Sequence, residues 1–318
     1  MKNFTNSIRV VLAVIILLSI TRKNTLAQSE PMFSQYTFNE LFINPAYAGS
    51  HEALSMSAVY RNQWASIEGA PRTTTFTAHT PMFKSKVGLG ITAYQDNIGV
   101  ASQTGVFFNY SYRIKMNKGT LSLGLLGGFN GYQEKLSDIQ TTEQGDMQFS
   151  RNTPMAFAPN FGFGTYYYTN KLYIGLSLPR LITNKLVVGP NGTVDRIDGS
   201  ILKEELHYFL AAGYIIDVNP LLKLRPSMML KTVVNAPMEY DLNVAALAYT
   251  MFWIGAGYRS GDSWNILTGY QINNQLRLGY SYDYTITKLK NYAGGTHELS
   301  LNYLLQYKSK KVTSPRYF

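Results

Sequence analysis

Between residues 54 and 307 one pattern recurs: apolar and polar side chains alternate with a period of two. That spacing belongs to half-buried strands, and a helix cannot use it, so the chain is constrained to an all-β fold. In 275–284, Leu276, Leu278, Tyr280, Tyr282 and Tyr284 share one face, with Gln275, Arg277, Gly279, Ser281 and Asp283 on the other. In 298–307, Leu299, Leu301, Tyr303, Leu305 and Tyr307 oppose Glu298, Ser300, Asn302, Leu304 and Gln306. Two further stretches set Leu222, Leu224, Met228 and Leu230 against Lys223, Arg225, Ser227 and Lys231, and Leu242, Val244, Ala246 and Ala248 against Asp241, Asn243 and Ala245.

A soluble sandwich alternates too, so composition has to separate the two. The chain has 24 Tyr and 16 Phe but only 15% charged residues, which suits a membrane barrel better than a soluble surface. Tyrosines near strand ends (Tyr282, Tyr284, Tyr303, Tyr307) match an interfacial girdle. The opposite face then lines a lumen, where Arg and Asp stay hydrated. The reading is a transmembrane antiparallel β-barrel of outer-membrane type with about 14 strands. Strand starts fall near Leu54, Thr73, Val87, Thr104, Thr120, Ala158, Lys171, Glu205, Leu222, Tyr240, Phe252, Ser263, Gln275 and His297, the weakest near Thr73 and Phe252.

Connection lengths give a second line of argument. With the first strand running outward, the inner turns are short: 82–86, 115–119, 169–170, 219–220, 250–251 and 273–274. The longest connections, 133–157, 179–204 and 285–296, then all lie on the outer side, as such barrels require. An even strand number places both termini in the periplasm.

Residues 1–27 read as a signal peptide: Lys2 and Arg9, an apolar run over 10–20, and Thr25-Leu26-Ala27 before Gln28. Arg22 and Lys23 after the core keep an uncleaved anchor as the alternative. With no Cys in the chain, a lipid-anchored N-terminus, a disulfide framework and a thiolate metal site are excluded. The chain carries 29 basic and 19 acidic residues, and the leader removes four basic ones, leaving 25 − 19 = +6. That permits anionic lipid or acidic partners without specifying either. Residues 308–318 form a basic tail that Pro315 keeps from extending the last strand.

Residues 28–53 break the pattern. Within them 31–50, PMFSQYTFNELFINPAYAGS, has irregularly spaced aromatics interleaved with Asn39, Asn44, Pro45 and Gly49, and fits neither strand nor helix. So apolar a segment needs cover. Phe33, Tyr36, Phe38, Phe42, Asn44, Pro45 and Tyr47 are therefore the candidate contacts to a partner or to the barrel interior, the segment acting as lumen plug or periplasmic cap. The inward polar set is Arg113, Lys223, Arg225, Lys231, Asp241, Arg277, Asp283 and Glu298, either paired as a filling or lining a polar cavity.

No catalytic, cofactor or metal motif emerges. His51, His79, His207 and His297 are scattered, and no nucleotide loop or nucleophile elbow occurs. Gly88-Leu89-Gly90 and Gly162-Phe163-Gly164 read as closely packed barrel glycines. His207 and His297, with Glu204, Glu205 and Glu298 nearby, are expected as hydrated side chains of the outer rim. Their other use, a rim general base, lacks a nucleophile. The aligned tyrosines read as lipid girdle rather than as a platform for sugars or bases.

Phe33-Ser34-Gln35-Tyr36, Asn39 and the run from Phe42 through Ile43-Asn44-Pro45-Ala46-Tyr47-Ala48-Gly49 to Ser50 resemble the N-terminal signature of the PorP/SprF family of type IX secretion outer-membrane proteins. Gly295-Thr296-His297-Glu298-Leu299-Ser300 and the closing Ser314-Pro315-Arg316-Tyr317-Phe318 are similar as well. Glu40 stands where that family often has an uncharged residue. The resemblance implies a non-enzymatic outer-membrane barrel without cofactor. It also implies support for export or cell-surface attachment of secreted proteins such as gliding adhesins, in Bacteroidetes-type cells. Implied partners are the secreted cargo, held by its C-terminal region, the type IX translocon or periplasmic motor-linked subunits, and outer-membrane lipid, with no nucleic acid. A passive channel or hydrophobic-ligand transporter is the alternative, and a rim hydrolase ranks last.

Overall fold

A computed structural model of the protein describes residues 31–138, 151–183, 185–188, 194–195, 202–203, 206–233 and 236–305. Fourteen strands close into one antiparallel barrel. They are β1 (Leu54–Asn62), β2 (Arg72–Met82), β3 (Val87–Ile98), β4 (Ala101–Met116), β5 (Gly119–Glu134), β6 (Ala156–Tyr168) and β7 (Leu172–Leu178). They continue with β8 (His207–Tyr214, prolonged by Ile216–Asn219), β9 (Leu222–Val233), β10 (Glu239–Ala248), β11 (Phe252–Arg259), β12 (Ser263–Gln271), β13 (Leu276–Thr285) and β14 (Thr296–Leu305). Each strand pairs with its sequence neighbours, and β14 pairs with β1 to close the ring. The stretches near Thr73 and Phe252 are full strands. Closure leaves no edge, so every strand is paired on both sides.

The alternation has a physical cause visible in the burial. On β14, Glu298 and Ser300 are buried inside while Leu299 and Leu301 face out. On β10, Asp241, Asn243 and Ala245 point in while Leu242 and Val244 point out. Phe108, Phe161, Ile254 and Ile266 extend the same apolar outer wall. Among the described residues no helix is long and apolar enough to cross a membrane, which bears on helices alone.

One end of the barrel is made of short turns, at 83–86, 117–118, 169–171, 220–221, 249–251 and 272–275. The other end carries the longer connections, including 135–155, 179–206 and 286–295. The 179–206 connection is more than a loop: Lys185–Val188 pairs with Val194–Asp195 and with Leu202–Lys203 in a small separate sheet. Residues 1–27, 308–318, Tyr307, Glu204 and Glu205 lie outside the described residues.

Candidate functional site: a plugged lumen

The segment before β1 lies inside the barrel. It forms three single turns, the 3-10 turns Tyr36–Phe38 and Pro45–Tyr47 and the helical turn Glu40–Ile43. The aperiodic reading is corrected to this extent. Asn44 starts the last turn by accepting a hydrogen bond from Ala46 N at 3.0 Å, with Pro45 placed where no N–H is needed. Phe33, Tyr36, Phe42, Asn44 and Pro45 are buried in the lumen, and Phe38 and Tyr47 are half-buried there. Phe33, Tyr36, Phe42 and Ile43 pack with Val59, Tyr94, Phe107, Leu126, Phe209 and Met229 from six strands, and Phe33 meets Phe42 edge-on at 5.1 Å.

The plug runs lengthwise through the lumen. Its first described residues lie near the long-connection end, because the N–H groups of Ser34 and Gln35 donate to the two oxygens of Glu298, at 2.9 and 2.8 Å. Its last residues lie near the turn end, where Ser111 Oγ donates to the Ala48 carbonyl at 2.7 Å and Gly49 N donates to His79 Nδ1 at 3.1 Å. Two glycines make the fit possible. A Cβ at Gly88 would collide with the Ala48 carbonyl, and one at Gly124 with the backbone of Ala46.

A buried ionic network anchors the first end. Arg61 bridges Asp283 at 2.8 Å and Glu298 at 2.9 Å, while Arg259 holds Asp241 at 2.9 Å and approaches Asp283 at 3.7 Å. Three buried carboxylates thus face two guanidiniums, and the plug supplies the missing donors. These are the two N–H groups on Glu298 and Ser34 Oγ, which donates to Asp283 at 2.7 Å. Without the plug, Glu298 loses two bonds in a place where unpaired charge is costly.

The inward polar residues meet the plug in different ways. Asp241, Asp283 and Glu298 are in this network and are buried. Arg225 donates to Thr37 Oγ1 at 3.0 Å and covers the Phe38 ring at 5.0 Å, and Arg277 covers the same ring at 5.2 Å. Arg113 Nε donates to the Tyr168 hydroxyl at 3.0 Å. Lys231 is buried and inward, whereas Lys223 sits at the turn end, 3.5 Å from Asp217.

Glu40 is the unexpected member. It is buried in the plug, where Tyr166 hydrogen-bonds its carboxyl group and its Oε2 has no partner. Burial raises its pKa to about 7, against the opposing pull of the Tyr166 bond and the Arg225 charge. A cavity of about 30 Å³ beside it, lined also by Asn39, His79, Arg277 and Asn302, has the size of one water molecule.

The histidines depart from expectation. His207 is fully buried in the lumen with its ring against Phe209, while His297, on the opposite parity, meets the Tyr280 hydroxyl at 2.8 Å. The strand pleat sends them to different faces, so they do not form a rim pair. Glu298 is committed to Arg61. Conversely His51 and His79 come together, ring centroids 5.0 Å apart, with Tyr47 bonded to His51 at 3.0 Å. Sequence reasoning also missed Arg61, Arg259, Ser34 and Gln35. The available signal was parity: Arg61 shares its face with Ser57 and Val59, and Arg259 with Trp253.

A barrel with an apolar outer wall and an FSQY…NPAYAGS plug calls for comparison with known proteins. The profile described as "Type IX secretion system membrane protein PorP/SprF" matches residues 25–303. The chain belongs to the PorP/SprF family. Family and fold together place this PorP/SprF protein in the outer membrane. No curated protein matches the sequence significantly. Among solved structures, the CymD monoaromatic hydrocarbon channel superposes with a TM-score of 0.55 at 10% identity, covering 89% of this chain and 95% of its own. That likeness shows the fold alone. A Pseudomonas aeruginosa FadL homologue reaches a TM-score of 0.46 at 12% identity, covering 86% of this chain and 94% of its own, too loose a match to argue from.

Proposed function

We propose that this PorP/SprF protein is a non-enzymatic binding component of type IX secretion. In this reading it supports the export or cell-surface attachment of particular secreted proteins, such as gliding adhesins, by holding their C-terminal region. The supporting observation is the plug. A lumen filled along its length by the chain's own residues, and tied by Glu298 and Asp283, suits a holder better than an open conduit. The secreted partner then engages the long-connection end, where 135–155 and 179–206 lie. The turn end, where β1 begins and β14 finishes, is in this reading the periplasmic side and meets the translocon or motor-linked subunits, while the plug starts from the opposite end. Purification of the tagged protein from outer membrane is expected to recover a secreted cargo or a translocon subunit. Recovery of neither, from cells making both, contradicts the proposal.

The second reading is a passive channel or hydrophobic-ligand transporter. It draws on the barrel architecture shared with CymD, and it requires the plug to leave or shift. Solute uptake by vesicles carrying the intact protein favours it.

A further inference from the structure

The barrel wall is not uniform. Between β8 and β9 the register runs from His207↔Val233 to Gly213↔Ser227 and resumes only at Ile216↔Leu224. The missing bridges lie opposite Pro226, which has no N–H to give to the Tyr214 carbonyl. The Ile215 N–H, by the ordinary alternation of a strand, serves the β7 side, donating to the Lys171 carbonyl at 2.7 Å. Among the described residues every other barrel seam keeps a consecutive register.

Both sides of this gap are apolar. Outside, a groove of about 770 Å³ runs over it, lined by Ala212, Tyr214, Pro226, Met228 and Val244. Inside, Phe209, Ala211 and Met229 pack on the plug's Phe33, Tyr36 and Phe42. The latch is Tyr36, whose hydroxyl donates to Ser227 Oγ at 3.2 Å directly behind the gap. The Tyr173 ring lies against Gly213 beside it.

We infer that the β8–β9 seam around Pro226 is a lateral portal for hydrocarbon chains, shut from within by the plug's Tyr36. The occupant follows from position. The outer wall of a membrane barrel is bathed in lipid acyl chains, and the groove offers such a chain an apolar path to an apolar cluster inside. A polar solute would lose its hydration on that path. A second outer groove, about 630 Å³ and lined by Tyr60, Phe252, Tyr270 and Leu278, lies over unbroken ladders and serves as an internal control.

The test uses the full chain in vesicles doped with a palmitate that carries a photoactivatable group on its acyl chain, with adducts mapped by mass spectrometry. The wild type is expected to be labelled on outward residues of both grooves, such as Met228 and Leu278. Tyr36→Ala is expected to add adducts on lumenal Met229 and Phe209, and adding Pro226→Val, which restores the N–H, to remove them. Tyr36→Phe keeps the ring, loses the hydroxyl's bonds to Ser227 and Asn243, and gives the same comparison if the alanine variant does not fold. The portal is refuted if Met229 and Phe209 stay unlabelled in the Tyr36 variant, or if their labelling survives Pro226→Val. Equal labelling of Leu267 and Ser300, inside the control wall, also refutes it, since the barrel would then be loosened everywhere.

Discussion

On one side of the lumen, β13, β14 and β1 grip the plug with charge: Glu298 takes the N–H groups of Ser34 and Gln35, and Asp283 takes the Ser34 hydroxyl. On the opposite side, β8 and β9 offer Phe209, Ala211 and Met229 as apolar surface, a hydroxyl contact from Ser227 and, nearer the turn end, the Arg225 guanidinium on Thr37 and Phe38. The first wall has an uninterrupted ladder, and the second is broken at Pro226. Charged hydrogen bonds fix orientation and are costly to leave half-made. Apolar contact is non-directional and tolerates sliding. The first turn of the plug is therefore pinned by buried carboxylates on one side and held on the other by apolar packing, one hydroxyl contact and the Arg225 donor, so its movement should begin at β8–β9.

The largest expected effect lies on the pinned wall. Glu298→Ala leaves Arg61 and two backbone N–H groups short of an acceptor, a loss of about 3–5 kcal/mol for breaking a buried charge pair. It is read as a lower denaturant midpoint of the folded barrel. An unchanged midpoint would remove the distinction between the walls.

Next comes pH, through Glu40 on the plug itself. Its folded pKa of about 7 lies above the ordinary 4.5. Stabilisation from the protonated form is thus complete below 4.5 and is lost as pH rises through 7. At 1.36 kcal/mol per unit, the shift amounts to about 3 kcal/mol. The plug should be held more tightly at pH 5 than at pH 8, measured by protease access to 31–50, and Glu40→Gln should flatten the difference. A wild-type response as flat as that of Glu40→Gln would remove Glu40 from the account.

Gly124→Ala probes the packing between the two walls. Its Cβ meets the Ala46 backbone, which cannot retreat without moving the turn, at a cost of about 1–3 kcal/mol for overpacking. The variant should expose 31–50 to protease while the strands remain resistant. The smallest effect belongs to Tyr36→Phe on the apolar wall, about 1–2 kcal/mol for the neutral hydrogen bonds of its hydroxyl to Ser227 and Asn243. A loss as large as that of Glu298→Ala would show that the two walls hold the plug alike.

The barrel was legible because its strands alternate and its turns are short on one end only. In β13 and β14 each side chain's face follows from parity alone. The plug could be seen as an apolar anomaly, and the NPAYAGS turn could be read from Asn44 and Pro45. Its direction could not. Which end of the lumen receives Ser34 depends on Glu298, some 264 residues away. Arg61 and Arg259 were missed because each lies in the last two residues of its strand, where a charge reads as a hydrated rim residue. His51 and His79 looked unrelated until the plug's exit turn brought them side by side. Pro226 sat unremarked in an alternating strand, because a missing ladder bond becomes visible only once the partner strand is known.

The most direct measurement of the central claim is ion conductance of the purified full-length barrel in a planar bilayer, compared with the same barrel lacking residues 31–50. The account predicts that the full chain stays closed and that the shortened barrel conducts steadily. A full chain that conducts as freely as the shortened one would contradict it.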